Sequence, residues 1–99
     1  MTPQQAEVRK RNIDLAKLTN VVNRINGFCL MAKSNPVLLN AQYRSFFGDL
    51  IQQLAAMGNK YQVPNPSYAI ALFTSEPENC DPQQVAAYKQ MIEMQILQI

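Results

Sequence analysis

The chain has 99 residues, 47% of them hydrophobic and only 16% charged, where roughly 25% charged is usual for soluble domains. This length allows one small core, and the composition excludes a disordered chain. The net charge of +2 is too small to demand a nucleic-acid or membrane partner.

Eleven glutamines and nine asparagines supply the missing polarity, giving an amide-rich surface that tolerates protein contact. Charge is unevenly spread. Residues 1–60 hold eight of the nine basic residues and three acids, whereas residues 61–99 hold Lys89 against Glu76, Glu78, Asp81 and Glu93. A basic front and an acidic back are able to dock, within one chain or between two.

The first helix is predicted over residues 3–33. Thr2 is placed as N-cap, Pro3 at the first helical position and Gln5 in capping-box position. Val8, Leu15, Val22 and Cys29 recur every seven residues, with Leu18, Ile25 and Ala32 three residues further on. Such rows form a buried seam, and Arg11 in the second row delays its burial to about Leu15. Gly27 is a weak point, but the phase continues across it. A helix of this length measures about 46 Å, against a radius of gyration of about 13 Å for a compact domain of this size. Either the helix breaks at Gly27, or the fold is elongated, or a second copy covers the overhang.

Ser34-Asn35-Pro36 separates it from a second helix over about 36–57, with Pro36 or Asn40 near its first turn. Tyr43, Phe47, Leu50, Leu54, Met57 and Tyr61 keep a 4-3-4-3-4 spacing, and Gly58 is expected to be the left-handed cap. Gly48, in mid-helix, is read as a point where a neighbouring helix comes close. Residues 59–82 hold four of the six prolines. Within them, residues 66–73 (around Tyr68-Ala-Ile-Ala-Leu-Phe73) are read as a short helix, with a lone strand as the alternative. The last helix, 82–98, opens with Asp81 as N-cap, Pro82 at the first position and Gln84 completing a capping box. The fold class is therefore all-α: a small antiparallel bundle of three long helices plus one short helix in a single domain.

No catalytic residues are identified. Histidine is absent, which removes the commonest general base and every Cys–His or Ser–His pairing. No phosphate-binding glycine loop or nucleophile elbow occurs. No metal or cofactor is expected: Cys29 and Cys80 lie far apart, in no metal-ligand spacing, and read as two reduced thiols. The polar, basic start is not a secretory signal. No apolar run reaches the ~20 residues of a membrane span, so a cytoplasmic protein is expected.

Two surfaces remain as candidates. The last helix has one apolar face from Val85, Tyr88, Ile92, Ile96 and Ile99, and a second strip from Met91, Met94 and Leu97. That strip is the expected contact for another protein chain or a second copy, with Tyr61 in the Pro-rich connection as a further anchor or, more simply, a staple of that loop to the core. The other surface is basic: Arg9-Lys10-Arg11, with Lys17 and Arg24 further along, of which Arg9, Lys10, Lys17 and Arg24 would make weak phosphate contacts. Glu7 and Asp14 dilute it, through pairs such as Asp14 with Lys10 or Lys17, and no aromatic residue interleaves to stack bases. The expected function is a protein-interaction module (an adaptor, chaperone-like or regulatory accessory protein, expected as a homodimer), with weak nucleic-acid binding as the alternative.

Overall fold

The computed structural model describes residues 2–63 and 77–98. Three α-helices, α1 (Pro3–Ser34), α2 (Ala41–Lys60) and α3 (Pro82–Leu97), form an all-α bundle with no strand among the described residues. Short 3-10 turns occupy Pro36–Leu38 and Pro77–Asn79. The short helix expected at 66–73 lies outside the described residues.

Each start follows from its capping side chain. Thr2 accepts a hydrogen bond from the Gln5 amide while the Gln5 side chain accepts one from the Thr2 amide, closing the capping box. Asn40 caps α2 by accepting from the Tyr43 amide at 3.0 Å. The second helix thus begins at Ala41, not at residue 36: Pro36 opens a separate 3-10 turn, and the chain re-caps at Asn40. Asp81 accepts from the Gln83 amide at 2.9 Å, so its bond goes to the second helical amide, one residue before the Gln84 expected to complete a box.

α1 runs unbroken through Gly27, and the molecule measures 51 × 27 × 18 Å with a radius of gyration of 14.7 Å. The elongated fold is the outcome. Both predicted rows pack inward, with Leu18, Val22, Ile25, Cys29 and Ala32 buried. A third row, Asp14, Val21 and Phe28, sits one residue before the first and turns inward as well. At 100° per residue the three rows together cover about a third of the helix circumference, wide enough to take a neighbour on each flank. α2 packs on the flank of Asp14 and Phe28, where Lys60 and Tyr61 reach Asp14 and Phe47 meets Phe28. α3 and the turn at Pro77–Asn79 pack against α1 as well. Both helices run antiparallel to α1 and therefore parallel to each other.

Neither Gly48 nor Gly58 plays the role expected of it. A Cβ on Gly48 would meet nothing within 4 Å, so no helix comes close there. The close approach is at Gly58, where a Cβ would overlap the Tyr88 hydroxyl and lie 2.9 Å from its Cζ. Gly58 is not the left-handed cap either. α2 continues to Lys60, and the left-handed position is Gln62, with φ of 58°. The Val63 amide donates to the Gly58 carbonyl at 2.9 Å and the Gln62 amide to the Asn59 carbonyl at 3.2 Å, a Schellman closure with glutamine in the glycine position.

Candidate functional site

The end of the bundle where α2 and α3 both terminate against α1 gathers most of the polar chemistry. Its centre is Asp14, the buried charged residue among those described, 5% exposed. Lys60 Nζ donates to Asp14 Oδ2 at 2.8 Å, and the Tyr61 hydroxyl donates to the same oxygen. Burial acts to push the Asp14 carboxyl up. The hydrogen bonds from Lys60 and Tyr61, with the charges of Lys60 and Lys10, outweigh it and leave the group below its ordinary value. Burial, the bond to Asp14 and the Asp14 charge push the Tyr61 phenol up to about 12. Near neutral pH Asp14 is thus a carboxylate and Tyr61 a neutral phenol.

Around it opens a cleft of about 710 Å3, lined by Glu7, Lys10 and Arg11 of α1, Lys60, Tyr61 and Gln62 at the end of α2, and Gln95, Ile96 and Gln98 at the end of α3. Three cations face one acid, joined by three side-chain amides. Of the four residues expected to contact phosphate, only Lys10 lines this cleft, and Arg9 faces a separate groove with Val8 and Ile13. Arg11, of the same basic run, lines the cleft too, and Lys60 joins them through the fold. The pairing expected between Asp14 and Lys10 or Lys17 gives way to one with Lys60, 46 residues away, because Asp14 faces α2.

The strip expected on the last helix divides. Met91 packs against the core, whereas Met94 and Leu97 are 55% and 61% exposed. Tyr61 is half-buried and packs against the core with its hydroxyl spent on Asp14, which makes it a staple of the helix end. The other apolar surface at this end is α1 itself. It outruns both neighbours, and Val8 and Ile13 stand 44% and 58% exposed on its first turns. The exposure of Val8 agrees with a seam that begins to bury near Leu15, and Ile13 lies outside both seven-residue rows. The signal available was the length of the first helix against a compact globule.

At the opposite end, Phe28 meets Phe47 and Tyr43 edge-on, with ring centroids 5.9 and 6.3 Å apart. Arg44 joins Glu78 through a two-pronged ion pair, with one contact at 3.1 Å, and donates to the Leu39 carbonyl at 3.2 Å. No group of three or more metal-ligating side chains occurs among the described residues, and no helix among them is long and apolar enough to cross a membrane. Comparison with protein families, with curated proteins and with solved structures finds no match to this chain, so its geometry alone carries the functional reading.

Proposed function

We propose that the chain is a non-enzymatic, cytoplasmic protein-interaction module that binds through apolar helix contacts, and that the partner at the free end of α1 is a second copy of the chain. One observation carries this reading: the first turns of α1, the longest helix, run past the ends of α2 and α3 with Val8 exposed. Ile13 is exposed beside Asp14, on the side away from the buried rows. Val8 continues the row that is buried further along at Val22 and Cys29. A partner helix laid there would extend an existing seam rather than need a new one. Met94 and Leu97 add exposed apolar surface on α3. Charge favours a second copy. The projecting turns carry Arg9, Lys10 and Arg11 against Glu7, while residues 61–99 carry the acidic surplus, and opposite charges orient a symmetric pair.

The test is light scattering after size exclusion at high micromolar concentration. The expected mass is that of a dimer, falling to a monomer for Val8→Glu with Ile13→Glu while the helical signal and melting temperature hold. Met94→Asp with Leu97→Asp asks the same of α3. A monomeric wild type removes the second copy as partner. The convergence of Lys10, Arg11 and Lys60 in one cleft favours a second reading, weak phosphate contact. Nucleic-acid binding that falls steeply with added salt would select it, and a shallow response would select apolar contact.

A further inference from the structure

The row of α1 that holds Leu18, Ile25 and Ala32 is buried, and seven residues before Leu18 it holds Arg11. Where the row leaves the core, the chain places a guanidinium. Arg11 is half-buried, and among the described residues its side chain makes no hydrogen bond or ion pair. The buried acid nearby is already taken, since Lys60 and Tyr61 both donate to Asp14. Glu7, one turn back, lines the same cleft and forms no ion pair with Arg11. Lys10 forms no ion pair among the described residues either, and Lys60 keeps donors to spare beyond its bond to Asp14. The carbonyl ends of α2 and α3 account for a cation in a last turn, such as Lys60. They do not account for an unpaired, half-buried fork.

We propose, resting on the phosphate-contact reading of this cleft, that it binds a small sugar phosphate: Arg11, Lys10 and Lys60 hold the phosphate, and the amides around them hold the sugar hydroxyls. The arrangement of the cations chooses a monoester over a strand. The diesters of a strand are spread along its length, whereas these cations come from two helices to one cleft of about 710 Å3, within the size range of small-molecule sites. A terminal phosphate carries a second charge and three free oxygens, acceptors enough for a guanidinium fork and two ammoniums. The polar remainder chooses the rest of the ligand. Gln62 at the end of α2 and Gln95 and Gln98 at the end of α3 each offer a donor and an acceptor, and Glu7 offers acceptors. That is the set a polyol needs. A nucleobase finds no stacking face, because Tyr61, the aromatic residue in the cleft, packs against the core with Lys60 Nζ 5.6 Å from its ring centroid.

The test is isothermal titration calorimetry of the full chain at constant ionic strength, with glucose 6-phosphate and ribose 5-phosphate as ligands. Inorganic phosphate, glucose and adenosine monophosphate are the references. A sugar phosphate is expected to bind about tenfold tighter than inorganic phosphate, glucose to give no heat, and adenosine monophosphate to bind no tighter than ribose 5-phosphate. Arg11→Gln should weaken binding about tenfold while the melting temperature holds, and Arg11→Lys, which keeps the charge without the fork, should recover part of the loss. Lys10→Gln, at an exposed position, should show a loss free of any effect on folding. Lys17→Gln, on α1 but outside the cleft, should change nothing. No binding of either sugar phosphate, equal affinity for inorganic phosphate, tighter binding of the nucleotide, or equal losses in Arg11→Gln and Lys17→Gln would each overturn the proposal. A single-stranded oligonucleotide titrated in parallel separates the failures. Strand binding without sugar-phosphate binding keeps phosphate contact and removes the small ligand, and binding of neither removes both.

Discussion

Two ends of the α1–α2 interface are fastened by opposite means. At one end Asp14 holds Lys60 and Tyr61 through a buried carboxylate. At the other, fourteen residues on in the same row, Phe28 meets the rings of Tyr43 and Phe47. The aromatic end is held by apolar contact, which is insensitive to pH and needs only volume. The Asp14 end depends on charge state and on geometry at one oxygen atom. The difference places adaptability at the Asp14 end, where the helices end, α1 projects and the cleft opens.

The largest expected effect breaks the aromatic end. Phe47 is 2% exposed and packs edge-on against Phe28. Phe47→Ala should cost about 3–5 kcal/mol, a large share of the stability of so small a domain. Chemical denaturation of the variant should show the same loss at pH 4 and pH 7. A loss that changes with pH would mean that the two ends are coupled.

Breaking the Asp14 end should cost less and depend on pH. Asp14 titrates below its ordinary value of 3.8 in the folded chain. A depressed carboxylate contributes stability above its unfolded value and loses it as pH falls through the folded one. Asp14→Asn should therefore cost about 1 kcal/mol near pH 7, discounted because Lys60 is 45% exposed. The gap to wild type should close as pH drops below about 4. Tyr61 gives the opposite limb: raised from 10.0 to about 12, it contributes stability that is lost as pH rises through that range. Tyr61→Phe should remove this alkaline limb from a stability profile. Equal pH profiles for wild type and both variants would remove the electrostatic account of this end.

How much of this was legible in the sequence follows from what each feature depends on. Helices and caps are local, so Thr2-Pro3-Gln5 and Asp81-Pro82 mark their helix starts directly. Rows at seven-residue spacing show which face of α1 is buried, and Leu18, Ile25 and Cys29 lie there. What meets each row is not local. Asp14 repeats with Val21 and Phe28 at the same spacing, but a carboxylate in an apolar row looks like a solvated residue until Lys60 and Tyr61 arrive from α2. Gly48 and Gly58 fail as signals for the same reason. A glycine permits close approach, but only the partner's position, here Tyr88, shows which one uses it. The late start of the seam was legible for the opposite reason: Arg11 interrupts the second row locally, and Val8 is exposed while Leu15 packs against the core.

The smallest effect tests whether the Asp14 end is held at a cost. Gln62 has a φ of 58° in the last closure of α2 and lines the cleft. A non-glycine residue in that region costs about 1–2 kcal/mol, whereas glycine there avoids the clash and gives back roughly 0.5–1 kcal/mol through a more flexible unfolded chain. Gln62→Gly should therefore stabilise the fold by about 0.5–1 kcal/mol, read as a melting temperature higher by about 2–8 °C. Phe47 and the aromatic end, with ordinary backbone throughout, offer no equivalent gain. Should Gln62→Gly instead destabilise the chain, the side-chain amide itself would be holding the end of α2 in place, and the cleft would be a tighter structure than its open shape suggests. Should it stabilise the chain while weakening association, the glutamine would be a strained residue kept for contact, as strain at binding sites commonly is. The sign of the change in melting temperature, read beside the change in association, thus separates a helix cap from a binding residue at the end of the bundle where α1 projects.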